Sequence, residues 1–264
     1  MFINKLLGLL GLQILRKDSQ FIMQERIHKF ELAEKKMGII SELCPQSPVS
    51  EALALVSNSQ SQLGQDLLAL SVNGLKRNGY FVEFGATDGI KLSNTHLLEK
   101  HFNWNGILAE PSKEYWQDLN VNRSAALDSR CDWNESGLEL EFYSNKELSS
   151  LEIVSNRDDH RLERAKNAVK YRVCTVSLID LLGQHAAPSQ IDFLSIDTEG
   201  SEFEILEGFD FSKYTFNVVS VEHNFNPQRT KIRTLLEANG YQIVFQEISE
   251  WDDWYIHKSM SGLT

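Results

Sequence analysis

The chain has 264 residues, 42% of them hydrophobic and 24% charged, which suffices for one large globular domain with an extension. A formal net charge of −11 and a pI of about 5.1 leave no basic footprint for a phosphate backbone and argue against DNA or RNA as a partner. Cys44, Cys131 and Cys174 lie far apart with no C-x-x-C pair, which signals neither a zinc site nor a disulfide framework and fits a reducing cytoplasm.

The charge is unevenly placed. Residues 1–40 hold seven Lys/Arg against four Asp/Glu, a net of +3, so the remainder carries −14. The opening run from Phe2 to Leu15 is apolar but shorter than the about 20 residues of a bilayer-spanning helix. No small-residue cleavage site follows it, so a signal peptide is not expected. Two readings of this run stay open. The favoured one is a helix packed on the rest of the chain or on a second subunit. The other is an interfacial helix whose basic flank, Arg16 and Lys17, makes peripheral contact with anionic lipid at the inner face of a membrane.

Residues 18–43 read as a helix, with Phe21, Ile22, Ile27, Phe30 and Leu32 among charged neighbours. The stretch from Pro45 to Pro48 breaks the pattern and marks a linker. Further helices are predicted over 51–56 and from about Gln65 to Lys76, giving a helical extension over 1–60 and a main domain over 61–264.

From residue 80 short apolar runs alternate with amphipathic segments, as in βαβ units on a parallel sheet. The predicted strands are Tyr80 to Phe84, Gly106 to Glu110, Arg123 to Leu127, Ile191 to Ile196, Asn217 to Glu222, Tyr241 to Glu247 and Trp254 to His257. The last two are joined too closely for a parallel crossover and should form an antiparallel hairpin.

Four segments carry chemistry. Tyr80-Phe-Val-Glu-Phe-Gly-Ala-Thr-Asp-Gly89 runs an apolar strand into a glycine turn where backbone can approach a ligand closely. It lacks G-x-G-x-x-G, and Glu83 and Asp88 would oppose a pyrophosphate; a cofactor with an amino group and a sulfonium suits them better. Gly106-Ile-Leu-Ala-Glu-Pro-Ser112 puts Glu110 at the end of the next strand, 27 residues after Glu83, where a carboxylate can accept from two ribose hydroxyls. Ile191-Asp-Phe-Leu-Ser-Ile-Asp-Thr-Glu-Gly-Ser-Glu202 delivers Asp197 and Glu199 to the carboxyl edge of the sheet. Val218-Val-Ser-Val-Glu-His-Asn224 ends an adjacent strand in Glu222 and His223. Carboxylates and an imidazole at one rim are what proton removal requires.

With Leu92-Ser-Asn-Thr95 and Asp252-Asp-Trp-Tyr255 added, this ordered set resembles the FkbM family of methyltransferases over about residues 60 to 257. The resemblance implies a class I methyltransferase fold. That is a Rossmann-like α/β domain with a mostly parallel seven-stranded sheet and an antiparallel last strand, here preceded by the helical extension. It implies S-adenosylmethionine as methyl donor and O-methylation of a sugar, polysaccharide or polyketide-like hydroxyl, so the expected partner is a small-molecule or glycan acceptor. On the matching positions, Glu83, Gly85, Ala86, Asp88, Gly89, Ser93, Asn94, Glu110, Pro111 and Asp197 are the candidate cofactor residues. Thr87 departs from the Asn often found in that turn.

Methyl transfer is an in-line displacement in which alignment contributes about 7 to 11 kcal/mol. A hydroxyl is a poor nucleophile, so His223 is the candidate base, with Asp197 or Glu222 orienting it or the acceptor. A divalent cation between Asp197 and Glu222 is the alternative, although two carboxylates alone do not establish a metal site. Two rival functions rank lower. A nucleotide-sugar or NAD-dependent oxidoreductase should carry the missing dinucleotide glycine pattern, and a non-catalytic adaptor on the same fold should have lost the acidic contacts that Glu110 retains.

Overall fold

The computed structural model describes residues 2–146, 148–155 and 168–260, with side chains from Gln20 onward. Helix α1 (Phe2–Leu43) is continuous, but among its described side chains only the last turns are buried, through Lys36, Ile39, Ile40 and Leu43. Residues 20–31 are exposed, including Phe21, Ile22, Met23, Ile27 and Phe30. The side chains of residues 1–17, on which the lipid-contact reading rests, lie outside the described ones. No helix among the described residues is long and apolar enough to cross a membrane.

After a turn at Pro45–Pro48 come α2 (Val49–Asn58) and α3 (Gln65–Val72). Every residue of α3 is buried, and its leucines share one core cluster with Ile39 and Ile40 of α1 and with Phe81, Phe193, Val218 and Trp254 of the sheet. The end of α1 is thus built into the same core as the sheet.

The sheet comprises β1 (Tyr80–Phe84), β2 (Asn105–Ala109), β3 (Ala126–Asp128), β8 (Gln190–Ile196), β9 (Thr215–Glu222), β10 (Tyr241–Val244) and β11 (Asp252–His257). Their order is β10-β11-β9-β8-β1-β2-β3, parallel except for β11, which runs antiparallel to both neighbours. The expected mixed sheet and terminal hairpin are therefore observed. The central strands are buried on both faces, which is why they read as mainly apolar runs. One face packs on α1, α2, α3 and α4 (His96–Phe102), and the other on α6 (Leu178–Gln184), α7 (Glu202–Glu207) and α8 (Arg229–Ala238).

Two departures from the predicted elements matter for the site. Arg123 does not begin a strand: it closes α5 (Trp116–Asn122), because its guanidinium is drawn into a buried polar network. And between β3 and α6 lies a second sheet that was not predicted, formed by β4 (Cys131–Trp133), β5 (Glu139–Ser144), β6 (Ser150–Leu151) and β7 (Val169–Ser177) in the order β4-β7-β5-β6. Its small core holds Trp133, Phe142, Leu151, Val154 and Val173. Strand β7 passes directly into α6, where the Ser177 hydroxyl accepts from the Asp180 amide (3.3 Å) as an N-cap.

Candidate active site

Strand periodicity builds the site. Alternate side chains share a face, and on the face toward α3 each central strand turns from apolar to polar as it nears its carboxyl end. Phe81 gives way to Glu83, Phe193 to Ser195 and Asp197, and Val218 to Ser220 and Glu222. Antiparallel β11 brings its first residue, Asp252, to the same rim opposite Glu222. A cleft opens at this rim, with about 900 Å3 of empty space once its solvent-open mouth is included. The second sheet walls it with Cys131, Asp132, Phe142 and Leu151.

The glycine turn begins at Gly85, whose φ of +78° suits glycine, and a Cβ there would lie 2.1 Å from the carbonyl oxygen of Asp197. The missing side chain lets the end of β1 meet the end of β8. Thr87 follows with φ +47°, a left-handed conformation that a β-branched residue adopts at a cost and asparagine tolerates better. Its amide donates to Glu110 Oε2 (2.8 Å), while the Ser112 amide donates to Glu110 Oε1 (2.7 Å). Each oxygen of this 4% exposed carboxylate thus has one donor and retains acceptor capacity, and Glu110 lines the cleft.

Glu83 is committed to the protein. It accepts from the Asn94 amide (2.6 Å), the Ser93 hydroxyl (3.1 Å) and the Thr95 hydroxyl, with the Arg123 guanidinium 3.7 Å away. This clamp sets Asn94 on the cleft wall, its Nδ2 donating to Ser195 Oγ (2.9 Å).

Of the predicted cofactor residues, Glu83, Gly85, Asn94, Glu110, Pro111 and Asp197 line the cleft. Ala86, Asp88, Gly89 and Ser93 do not. Ala86 is in the core. Asp88 folds back to accept from the Ile90 and Lys91 amides (2.8 Å each), and a Cβ on Gly89 would meet Arg123 Cγ at 2.5 Å. Ser93 bridges Glu83 and Arg123. These four shape the turn from behind.

His223 is also displaced from its expected place. It follows Glu222, so it leaves the strand on the opposite side and is absent from the cleft lining. Its Nδ1 accepts from the Phe225 amide (3.0 Å), its ring packs edge-on against Phe225, and its Nε2 lies 3.7 Å from Asp253, which Arg229 grips with two bonds. Burial holds its pKa below the usual histidine value.

What meets in the cleft instead is a set of carboxylates. Asp197, Glu199 and Glu222 each offer an oxygen within 4.8 Å of the others. Asp197 and Glu222 lie close together; burial, with Asp252 adding to it, raises Asp197 to about 7, and burial and Asp197 push Glu222 well above the carboxylate range. Glu202 accepts from the Thr198 and Gly200 amides (3.1 and 2.9 Å) and so fixes the turn that presents Glu199. Sequence reading brought Glu199 to this edge without giving it a role. Asp132, buried in the cleft wall with Oδ1 unpartnered, was missed because its strand spans only three residues, too few for a periodicity.

Glu110 is raised to about 7 by burial, Asp252 to about 6, and Asp197 to about 7. Each holds its proton in the folded chain at a pH where the unfolded chain has lost it, so their contribution to stability disappears as pH rises through the folded value. Buried His223 and the half-buried His96 and His257 act in the opposite sense, but only below about pH 6.5. The melting temperature should therefore fall from about pH 6.5 to 8, with a shallower slope in Glu110→Gln. A melting temperature that rises across this window would contradict the assignment.

Comparison with known proteins gives a family. A model of the methyltransferase FkbM domain matches residues 83–243, from the β1 acid to β10. Among solved structures, the methyltransferase FkbM from Methylobacillus flagellatus KT aligns at 13% identity and a TM-score of 0.46, over 89% of this chain and 60% of that one. The precorrin-6y C5,15-methyltransferase from Geobacter metallireducens GS-15 aligns at 14% identity and a TM-score of 0.36, over 69% and 74%. No curated protein sequence matches. The chain thus spans about 60% of the length of the first of these structures. Because the domain match covers more than half of its residues, between the strands that build the cleft, the chain belongs to the FkbM methyltransferase family.

Proposed function

We propose that the chain transfers a methyl group from S-adenosylmethionine to a hydroxyl of a sugar, glycan or related natural product. The observation that carries the cofactor reading is Glu110. Its two oxygens are aligned by the amides of Thr87 and Ser112 and keep acceptor capacity at the cleft, as a pair of ribose hydroxyls requires. Gly85 and Pro111 line the cleft beside it. The hydroxyl reading rests on the opposite wall, where Asp197, Glu199 and Glu222 form a carboxylate rim suited to taking a proton as the oxygen–carbon bond forms. A general base is most effective with a pKa near the working pH, and Asp197 at about 7 meets that condition.

Calorimetry with S-adenosylhomocysteine tests the cofactor reading. Wild-type protein should bind it and not NAD, and Glu110→Ala should bind it about 1.5 to 3 kcal/mol more weakly, the range for a hydrogen bond to a charged group. Unchanged affinity in a folded variant removes Glu110 from the site.

A further inference from the structure

We propose that Asp197, Glu199 and Glu222, with the amide oxygen of Asn94, form a binding site for one hard divalent cation of the Mg2+ or Mn2+ class at the acceptor side of the cleft. The inference rests on the methyltransferase reading for its catalytic meaning, but not for the existence of the site.

Two independent observations point to a cation. The first is the convergence of three carboxylates, from the end of β8, the turn after it and the end of β9, with one oxygen of each inside a 4.8 Å span. Hard cations take oxygen ligands at about 2.0 to 2.6 Å, so a single ion fits among oxygens spaced this way. The second is Asn94, which lines the same cleft and is 8% exposed. Its Nδ2 is held by Ser195, two residues before Asp197 on the same face of β8, and its Oδ1 is buried with no hydrogen-bond partner. A buried carbonyl oxygen without a donor, on a residue of the cleft that the three carboxylates line, is an arrangement that a cation satisfies and another acceptor cannot. No basic side chain is paired with Asp197 or Glu222 among the described residues.

A cation at this point would polarise an acceptor hydroxyl bound next to it. The methyl then passes from the sulfonium sulfur, which becomes a thioether, to the hydroxyl oxygen, and the hydroxyl proton passes to a rim carboxylate oxygen not engaged by the ion.

The test uses the full chain, stripped with chelator and titrated with Mn2+ while the electron paramagnetic resonance signal of the free ion is followed. One ion per chain should bind, and Mg2+ should displace it. Asp197→Asn and Glu222→Gln should each weaken binding at least tenfold, and Asn94→Ala severalfold. Circular dichroism identifies folded variants; if either rim variant does not fold, Glu199→Gln stands in for it. Absence of Mn2+ binding by the wild type, or affinity unchanged in the folded rim variants, overturns the proposal. Calorimetry with S-adenosylhomocysteine on the same stripped protein separates the two readings: cofactor binding without Mn2+ binding sinks the cation site alone, and Mn2+ binding without cofactor binding sinks the methyltransferase reading alone.

Discussion

Arg123→Met is expected to lower stability by about 3 to 5 kcal/mol, the usual loss when one partner of a buried ion pair is removed. The Arg123 side chain is fully buried. It donates to Glu99 (2.8 Å), the Gly89 carbonyl (3.1 Å), Ser93 (3.1 Å) and Thr95 (2.8 Å), and faces Glu83 at 3.7 Å. Methionine keeps most of the apolar volume but leaves Glu83 without its cation and Glu99 with Lys100 alone (3.1 Å), and the loop from Ser93 to Thr95 loses part of its clamp. For a chain of this size the loss corresponds to a melting temperature lower by roughly 6 to 20 °C. Adding Glu83→Gln should recover part of it, because the stranded carboxylate is then neutral. Thermal unfolding of the single and double variants measures both effects, and a single-variant loss under about 1 kcal/mol would mean that water already screens the network. The consequence for function is indirect, since the same clamp positions Asn94 in the cleft.

The second large effect separates the carboxylate rim from His223. Asp197→Asn should lose roughly a hundredfold to ten-thousandfold in turnover, the contribution of a general base, while still binding S-adenosylhomocysteine. His223→Gln should retain turnover within a few fold and lose stability instead, because the imidazole is packed against Phe225 and faces Asp253 on the other side of the sheet. Transfer of a tritiated methyl group into a glycan extract reads turnover, and thermal unfolding reads stability. The opposite pattern, with His223→Gln inactive yet stable and Asp197→Asn active, would return the catalytic role to the histidine and remove it from the rim.

What the sequence determined by itself is the sheet and the ends of its strands. The mainly apolar runs of β1, β8 and β9 read as strands buried on both faces, and the short connection before the last strand forced a hairpin. Because ligands sit at carboxyl ends in such sheets, Glu83, Glu110, Asp197 and Glu222 could be located from order alone. The alternation in β7, from Val169 through Tyr171 and Val173, also carried a strand signal, but its partners lie up to 44 residues away, and pairing over that distance is decided by tertiary packing. Only the tertiary structure could assign faces at the rim. Glu222 and His223 are adjacent in sequence, yet successive residues of a strand point to opposite sides, so one enters the cleft and the other leaves it. The same applies to Asp88 and Gly89. They belong to a motif whose neighbours touch the cleft, but the turn folds them back onto its own amides and onto Arg123, since a tight turn must satisfy its backbone before it can present a ligand surface.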